Sequence, residues 1–120
     1  MSDNFGTVCD RNVRLENFAA ELTLAAYGFT LRHGMEGMWA EVELDLWRVL
    51  AETVRKWVLE RPQADSLNEF KYWRECFLLD LTESAFHVAV KHGIKGSQLK
   101  VESGLHRAFS LVVRRHYRTR

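Results

Sequence analysis

The sequence predicts an all-α protein, a four-helix bundle made of two duplicated antiparallel helical hairpins. Three observations lead to this fold class: apolar residues recur every three or four positions, the chain has a single proline, and a forty-residue segment repeats at an offset of 59. No segment alternates with the period of two that a half-buried strand needs. We therefore expect one domain over residues 1–120, with a pseudo-twofold axis relating the hairpins.

The internal repeat appears when residues 18–57 are aligned, without a gap, on residues 77–116. Thirteen of the forty aligned pairs are identical: Phe18/Phe77, Leu22/Leu81, Thr23/Thr82, Ala26/Ala85, His33/His92, Gly34/Gly93, Gly37/Gly96, Val42/Val101, Glu43/Glu102, Leu46/Leu105, Arg48/Arg107, Val54/Val113 and Arg55/Arg114. The match extends back to "TVCD" at 7–10 and "SLNE" at 66–69, whose spacing is typical of a helix-starting capping box. Repeat one is assigned to about 7–61 and repeat two to about 66–120.

Each repeat predicts two amphipathic helices separated by a glycine-containing bend. The apolar stripes of repeat one run Leu15, Phe18, Leu22, Ala26, Phe29, His33 and then Trp39, Val42, Leu46, Val49, Leu50, Thr53, Trp57. The stripes of repeat two run Phe70, Phe77, Leu81, Ala85, Val88, His92 and then Val101, Leu105, Ala108, Phe109, Val112. These positions form the predicted core.

The bends read "RHGMEG" at 32–37 and "KHGIKG" at 91–96. Gly34 and Gly93 occupy the position where a left-handed residue closes a helix, and Gly37 and Gly96 relax the entry to the next one. A phosphate loop needs more glycines and a Lys followed by Ser or Thr, which neither bend has. His33 and His92 are expected to cap helix-terminal carbonyls or to be satisfied core histidines; a symmetric pair of ligands is the alternative.

The second helix of repeat one carries a further apolar stripe of Leu44, Trp47, Val54 and Val58. The counterparts in repeat two are more polar, namely Ser103, His106, Val113 and Tyr117. A helix that is apolar on two sides is buried against something else, so we expect a homodimer or a protein partner to contact this stripe. The alternative is that Trp47 packs over residues 1–6, which include Phe5.

Composition favours a binding protein over an enzyme. Cys9 and Cys76 do not correspond in the repeat and lack CxxC spacing, and no nucleophile–His–acid set stands out, so we expect neither catalysis nor a cofactor. Glu83/His87 and Glu102/His106 are spaced i,i+4, whereas di-metal bundles use Glu-x-x-His; a metal- or ligand-binding bundle is therefore only a second alternative. With no membrane span or signal pattern, a cytoplasmic location is expected.

The first alternative function is nucleic-acid binding through the basic C-terminal helix. Residues 1–60 hold six Lys/Arg and ten Asp/Glu, for a charge of −4, and residues 61–120 hold eleven and six, for +5. The candidate phosphate contacts are Arg107, Arg114, Arg115, Arg118 and Arg120. The pI of about 7.9 argues against this function. Alternatively, the Glu and Arg residues retained in both repeats form a network that fixes how the hairpins dock.

Overall fold

The computed structural model is built of α-helices joined by short connections. The helices are α1 (Ser2–Arg32), α2 (Trp39–Leu59), α3 (Leu67–Lys91) and α4 (Gln98–His116). The structure describes residues 2–33, 39–59 and 66–117, and the side chains of residues 14–33, 40–59 and 66–117. Those ranges contain four helices and no strand, which confirms the predicted all-α class.

Serine side chains start α3 and α4. The Oγ of Ser66 accepts a hydrogen bond from the backbone N–H of Glu69 at 3.1 Å, as the spacing at 66–69 predicts. The Oγ of Ser97 accepts from the N–H of Lys100 at 3.3 Å, a cap that the repeat did not reveal because Met38 stands at the matching position. Each bond satisfies one of the amides that a helix start leaves unpaired.

The predicted helix start at Thr7 is wrong. The backbone is helical from Ser2, so Thr7 lies inside α1 and not at its first turn. A hydroxyl residue and an acid three positions apart also occur on one face of a continuous helix. The spacing alone therefore does not locate a helix start.

Helices that are neighbours around the bundle run antiparallel. α2 and α3 are joined by contacts of Asp45 with His92 and of Trp57 with Asp80, so position rises along α2 as it falls along α3. Glu21 contacts His116, and Phe29 meets Gly104, which gives the same relation for α1 and α4. α1 and α3 are therefore parallel, and their C-terminal ends lie at the same end of the molecule.

The hydrophobic core is a single cluster to which all four helices contribute. The largest side chains that are fully buried are Phe77, Phe109, Leu22, Leu46, Leu50, Leu81 and Leu105, all on predicted core stripes. Buried threonines satisfy their hydroxyls within their own helix: Thr23 donates to the carbonyl of Ala19 and Thr82 to that of Leu78, each at 2.7 Å. The core thus contains hydroxyl groups without the cost of leaving them unpaired.

The close approach of α4 to α1 depends on Gly104. A Cβ at this position would lie 2.0 Å from Cε2 of Phe29, whose ring is half-buried against the core. Gly28, which is also inside a helix, has no atom within 4 Å of the corresponding point. The two helical glycines therefore differ only in whether another helix occupies the space that a side chain would need.

We predict that Gly104→Ala is less stable than Gly28→Ala by about 1–3 kcal/mol, the usual cost of overpacking. Alanine improves helix propensity by about 1 kcal/mol at both sites, so this gain cancels in the comparison. Urea unfolding followed by circular dichroism measures both values. Equal stability of the two variants would contradict the close packing of Phe29 on Gly104.

Candidate interaction surfaces

The bend after α3 has the predicted glycine geometry. Gly93 has a φ of 79°, in the left-handed region, and Gly96 has a φ of 121°. The N–H of Ile94 donates to the carbonyl of Ala89 at 3.0 Å and that of Gly93 to Val90 at 3.1 Å, the two bonds of a Schellman motif. Ile94 packs back against the core. Gly34 and Gly37, the corresponding glycines of the first bend, lie outside the described residues.

His92 uses its imidazole to join α3 to α2. Its Nε2 lies 2.8 Å from Oδ2 of Asp45, and Nζ of Lys91 lies 3.1 Å from the same oxygen. Only 10% of the His92 side chain is exposed. The hydrogen bonds from His92 and Lys91 lower the pKa of Asp45 below its usual value. His92 is therefore a satisfied interhelical histidine, and its imidazole does not cap α3.

His33 has different surroundings. Its ring centroid lies 4.3 Å from that of Phe29, the residue that packs on Gly104, with the two rings tilted by 38°, and His33 is half-buried. No aspartate corresponding to Asp45 is available to His33, because the residue aligned with Asp45 in the repeat is Gly104. The two histidines thus make different contacts, although the repeat aligns them.

The predicted interface stripe on α2 divides into exposed and buried residues. Leu44 is 47% exposed and Trp47 is 38% exposed, whereas Val54 is 1% exposed and belongs to the core. Val58 is half-buried against the core. Val54 follows Leu46 and Leu50 at steps of four, which places it on the core face, so its assignment to an outer stripe is wrong. Leu44 and Trp47, one helical turn apart, remain as a surface pair.

A small cleft adjoins Trp47. It has a volume of about 160 Å³ and is lined by Leu15, Glu16, Trp47, Ala51 and Arg55, so α1 and α2 both contribute to it. The alternative contact of Trp47 with residues 1–6 cannot be placed, because their side chains lie outside the described residues.

A longer groove runs between α3 and α4 on the outer side of the second hairpin; we call it the α3/α4 groove. Its walls include Leu79, Leu99 and Leu111, and its volume is about 540 Å³. These leucines are 56%, 75% and 61% exposed. This surface was not predicted from the sequence, although all three leucines lie outside the predicted core stripes.

Basic residues line one side of the α3/α4 groove. Arg107 and Arg114 border it, and both are exposed, as is Arg115. None of the three arginines forms an ion pair with the part of the chain that the structure describes. The expected Glu–Arg network is therefore absent at these positions. Arg118 and Arg120 lie outside the described residues.

Glutamate and histidine pair at the surface without forming a metal centre. Nε2 of His87 lies 3.7 Å from Oε1 of Glu83, both exposed, and His106 contacts Glu75 across the helices at 3.0 Å. Glu102 accepts a hydrogen bond from Gln98 and not from His106. Among the described residues, no group of three or more His, Cys, Asp or Glu side chains could hold a metal ion.

Over the residues that the structure describes, the fold and its surfaces define the class of this protein: an all-α protein with four helices around one core and exposed leucines on both hairpins. Within the described ranges, no helix is long and apolar enough to cross a membrane. Comparisons with protein-family models, curated proteins and solved structures gave no match. The surfaces themselves therefore carry the functional argument.

We predict that Asp45→Asn destabilises the protein near neutral pH, because it removes a carboxylate held by His92 and Lys91. A carboxyl whose pKa is lowered by folding contributes stability above its unfolded pKa, and this contribution is lost as pH falls through the folded value. The deficit in Tm relative to the parent should therefore be present at pH 6 and shrink below about pH 4. Thermal unfolding at several pH values measures it.

Glu83→Gln is the matched control, since Glu83 also faces a histidine but is highly exposed. Exposed pairs contribute little, so its Tm should stay close to that of the parent protein at every pH. An Asp45→Asn deficit that does not depend on pH would contradict the role of the ionised carboxylate.

Proposed function

We propose that this chain is a non-enzymatic helical binding or scaffold protein that acts through protein–protein contacts and self-associates through α2 as a homodimer. The observation that supports this function is the exposure of Leu44 and Trp47 on a helix whose opposite side is committed to the core. Trp is the residue type most enriched among the side chains that dominate binding energy at protein interfaces. Contact of Leu44 and Trp47 with a second copy of the chain removes both side chains from water.

Charged residues flank this pair on α2. Glu41 and Arg55 are exposed on α2 and lie fourteen residues apart, which is close to four helical turns and therefore one face. In a twofold dimer that pairs α2 with itself antiparallel about this pair, Leu44 of each copy lies opposite Trp47 of the other. Such an isologous arrangement gives an apolar centre with a polar rim, the usual anatomy of an interface.

We also propose that the two hairpins are a duplication related by a pseudo-twofold axis. Residues 59 positions apart share burial in the core at Phe18/Phe77, Leu22/Leu81, Val42/Val101, Leu46/Leu105, Leu50/Phe109 and Val54/Val113. Interhelical polar contacts match as well. Nε1 of Trp57 donates to Asp80 at 2.6 Å. The residues aligned with these two in the other repeat, His116 and Glu21, also contact each other. This agreement supports a common origin of the hairpins.

Nucleic-acid binding is the second candidate. Arg107, Arg114 and Arg115 are exposed and form no ion pair with the described residues, so their charge is available to phosphates. RNA or DNA binding that weakens steeply with salt, and that is lost when these arginines are neutralised, would support this candidate over the first.

We predict that the protein elutes at twice its 14.0 kDa mass in size-exclusion chromatography with light scattering, and that Trp47→Glu shifts it to the monomer. A carboxylate at the centre of the interface would be buried without a partner, which costs far more than the lost apolar contact. Tyr72→Glu is the matched control, since Tyr72 is an exposed aromatic residue on α3. A strict monomer, or a dimer unaffected by Trp47→Glu, would overturn self-association through α2.

We predict that Leu46→Ala and Leu105→Ala each destabilise the protein by about 2–5 kcal/mol, and that the two values agree within about 1 kcal/mol. Both leucines are fully buried and occupy matched positions of the proposed duplication. Denaturant unfolding measures the difference, with Leu24→Ala as a control because Leu24 is exposed. A large disagreement between the two core variants would argue against equivalent surroundings.

A further inference from the structure

We propose that the α3/α4 groove binds an amphipathic helix of a partner protein whose apolar side is flanked by aspartate or glutamate. The groove lies on the second hairpin, and the surface proposed for self-association lies on α2. This interaction is therefore separate from dimerisation and would give the protein a second binding surface.

The apolar content of the groove indicates what occupies it. Leu79, Leu99 and Leu111 are each more than half exposed and border the same depression. Single exposed leucines are ordinary on protein surfaces, whereas several that line one concavity are typical of a docking site. An apolar helix face inserted between them would bury all three.

Small side chains produce the concavity. Thr82, Ser103 and Ser110 lie among the lining residues, between the leucine walls. The hydroxyl of Thr82 is already donated to the carbonyl of Leu78, so it does not require a polar group from a ligand. Beside Thr82, the groove can therefore accept an apolar side chain.

The length of the groove suits a helix. Its lining extends along α4 to Arg114, and an adjoining cavity of about 290 Å³ continues to Gln98 and Phe86. Sixteen helical rises separate Gln98 from Arg114, or about 24 Å, which matches a partner segment of roughly four turns. Recognition of this kind uses apolar anchors at i, i+3, i+4 and i+7.

The arginines beside the groove favour a partner helix that carries carboxylates. Arg107 and Arg114 flank Leu111 on one face of α4, and no Asp or Glu stands within four positions of either. Glu102 also lines the groove, toward its Gln98 end, and accepts a hydrogen bond from the neutral amide of Gln98. The positive charge is therefore concentrated at the Arg107–Arg114 end of the groove, where an acidic flank of the partner helix would meet it.

A protein partner explains the groove better than a nucleic acid does. Phosphates would use the two arginines, but they gain nothing from the exposed leucines between them. Single-stranded nucleic acids are bound by grooves that carry aromatic side chains for base stacking. In the described lining, the ring of Phe86 is half-buried, and the imidazoles of His87 and His106 already contact Glu83 and Glu75.

The test uses two fluorescent synthetic peptides of about 18 residues, long enough for the groove. Both carry leucines at helical spacing; one has glutamates on the flank, and the other has lysines at the same positions. Fluorescence anisotropy with the full chain should show about tenfold tighter binding of the glutamate peptide at low salt, the result of two favourable pairs replacing two repulsions. The Arg107→Glu/Arg114→Glu double variant should reverse this preference.

Leu111→Asp should weaken binding of the glutamate peptide at least tenfold, because an apolar anchor site is replaced by a like charge. Leu31→Asp is the matched control and should leave the affinity unchanged, since Leu31 is an exposed leucine on α1. All four positions substituted in Arg107→Glu/Arg114→Glu, Leu111→Asp and Leu31→Asp are exposed, and circular dichroism checks that each variant folds.

Three outcomes would overturn the proposal: equal binding of the two peptides, no effect of Leu111→Asp, or tighter binding of a single-stranded RNA that displaces the glutamate peptide and depends on the same arginines. Repeating the titration in the Trp47→Glu background separates this surface from self-association. Unchanged peptide affinity there supports a groove that works independently of the dimer.

Discussion

Burial of one leucine- and phenylalanine-rich stripe from every helix is the interaction on which the rest of the structure depends. Each helix contacts two neighbours, so removal of any one would expose the stripes of both. Isolated helices are marginally stable in water, and burial of an amphipathic face provides most of the stability of a helix in a protein. Residues such as Leu46 and Leu105, with no exposed surface, supply that burial directly.

Two different kinds of contact position the ends of the helices. Asp45 and His92 hold α2 to α3 with a hydrogen bond, whereas Phe29 fills the space beside Gly104 where α1 meets α4. Under the proposed duplication, Asp45 and Gly104 are matched positions, and His33 and His92 are matched as well. The same backbone arrangement is therefore compatible with a polar junction on one side and an aromatic one on the other.

The helices, their core stripes and the bend at Gly93 were predictable from the sequence because each depends on local chemistry. A stripe of apolar residues directly indicates the buried face of a helix. A glycine that follows the last residue of such a stripe indicates the left-handed residue that ends the helix. Asp45 was not predictable as the partner of His92, since 47 residues separate them and no periodicity links them. The burial of Val54 was misjudged because one helix can carry two apolar stripes, and only packing shows which faces the core.

The exposed surfaces depart from the repeat more than the core does. Positions that are Leu44, Trp47 and Ala51 on the first hairpin are Ser103, His106 and Ser110 on the second. Apolar side chains at the first set give an exposed apolar surface beside a small cleft, and polar ones at the second set line a groove bordered by Leu79, Leu99 and Leu111. Because none of these substitutions alters a fully buried residue, the outer faces can differ without a cost to the core. Under the two proposals above, the same framework presents one surface to its own copy and a different surface to a partner.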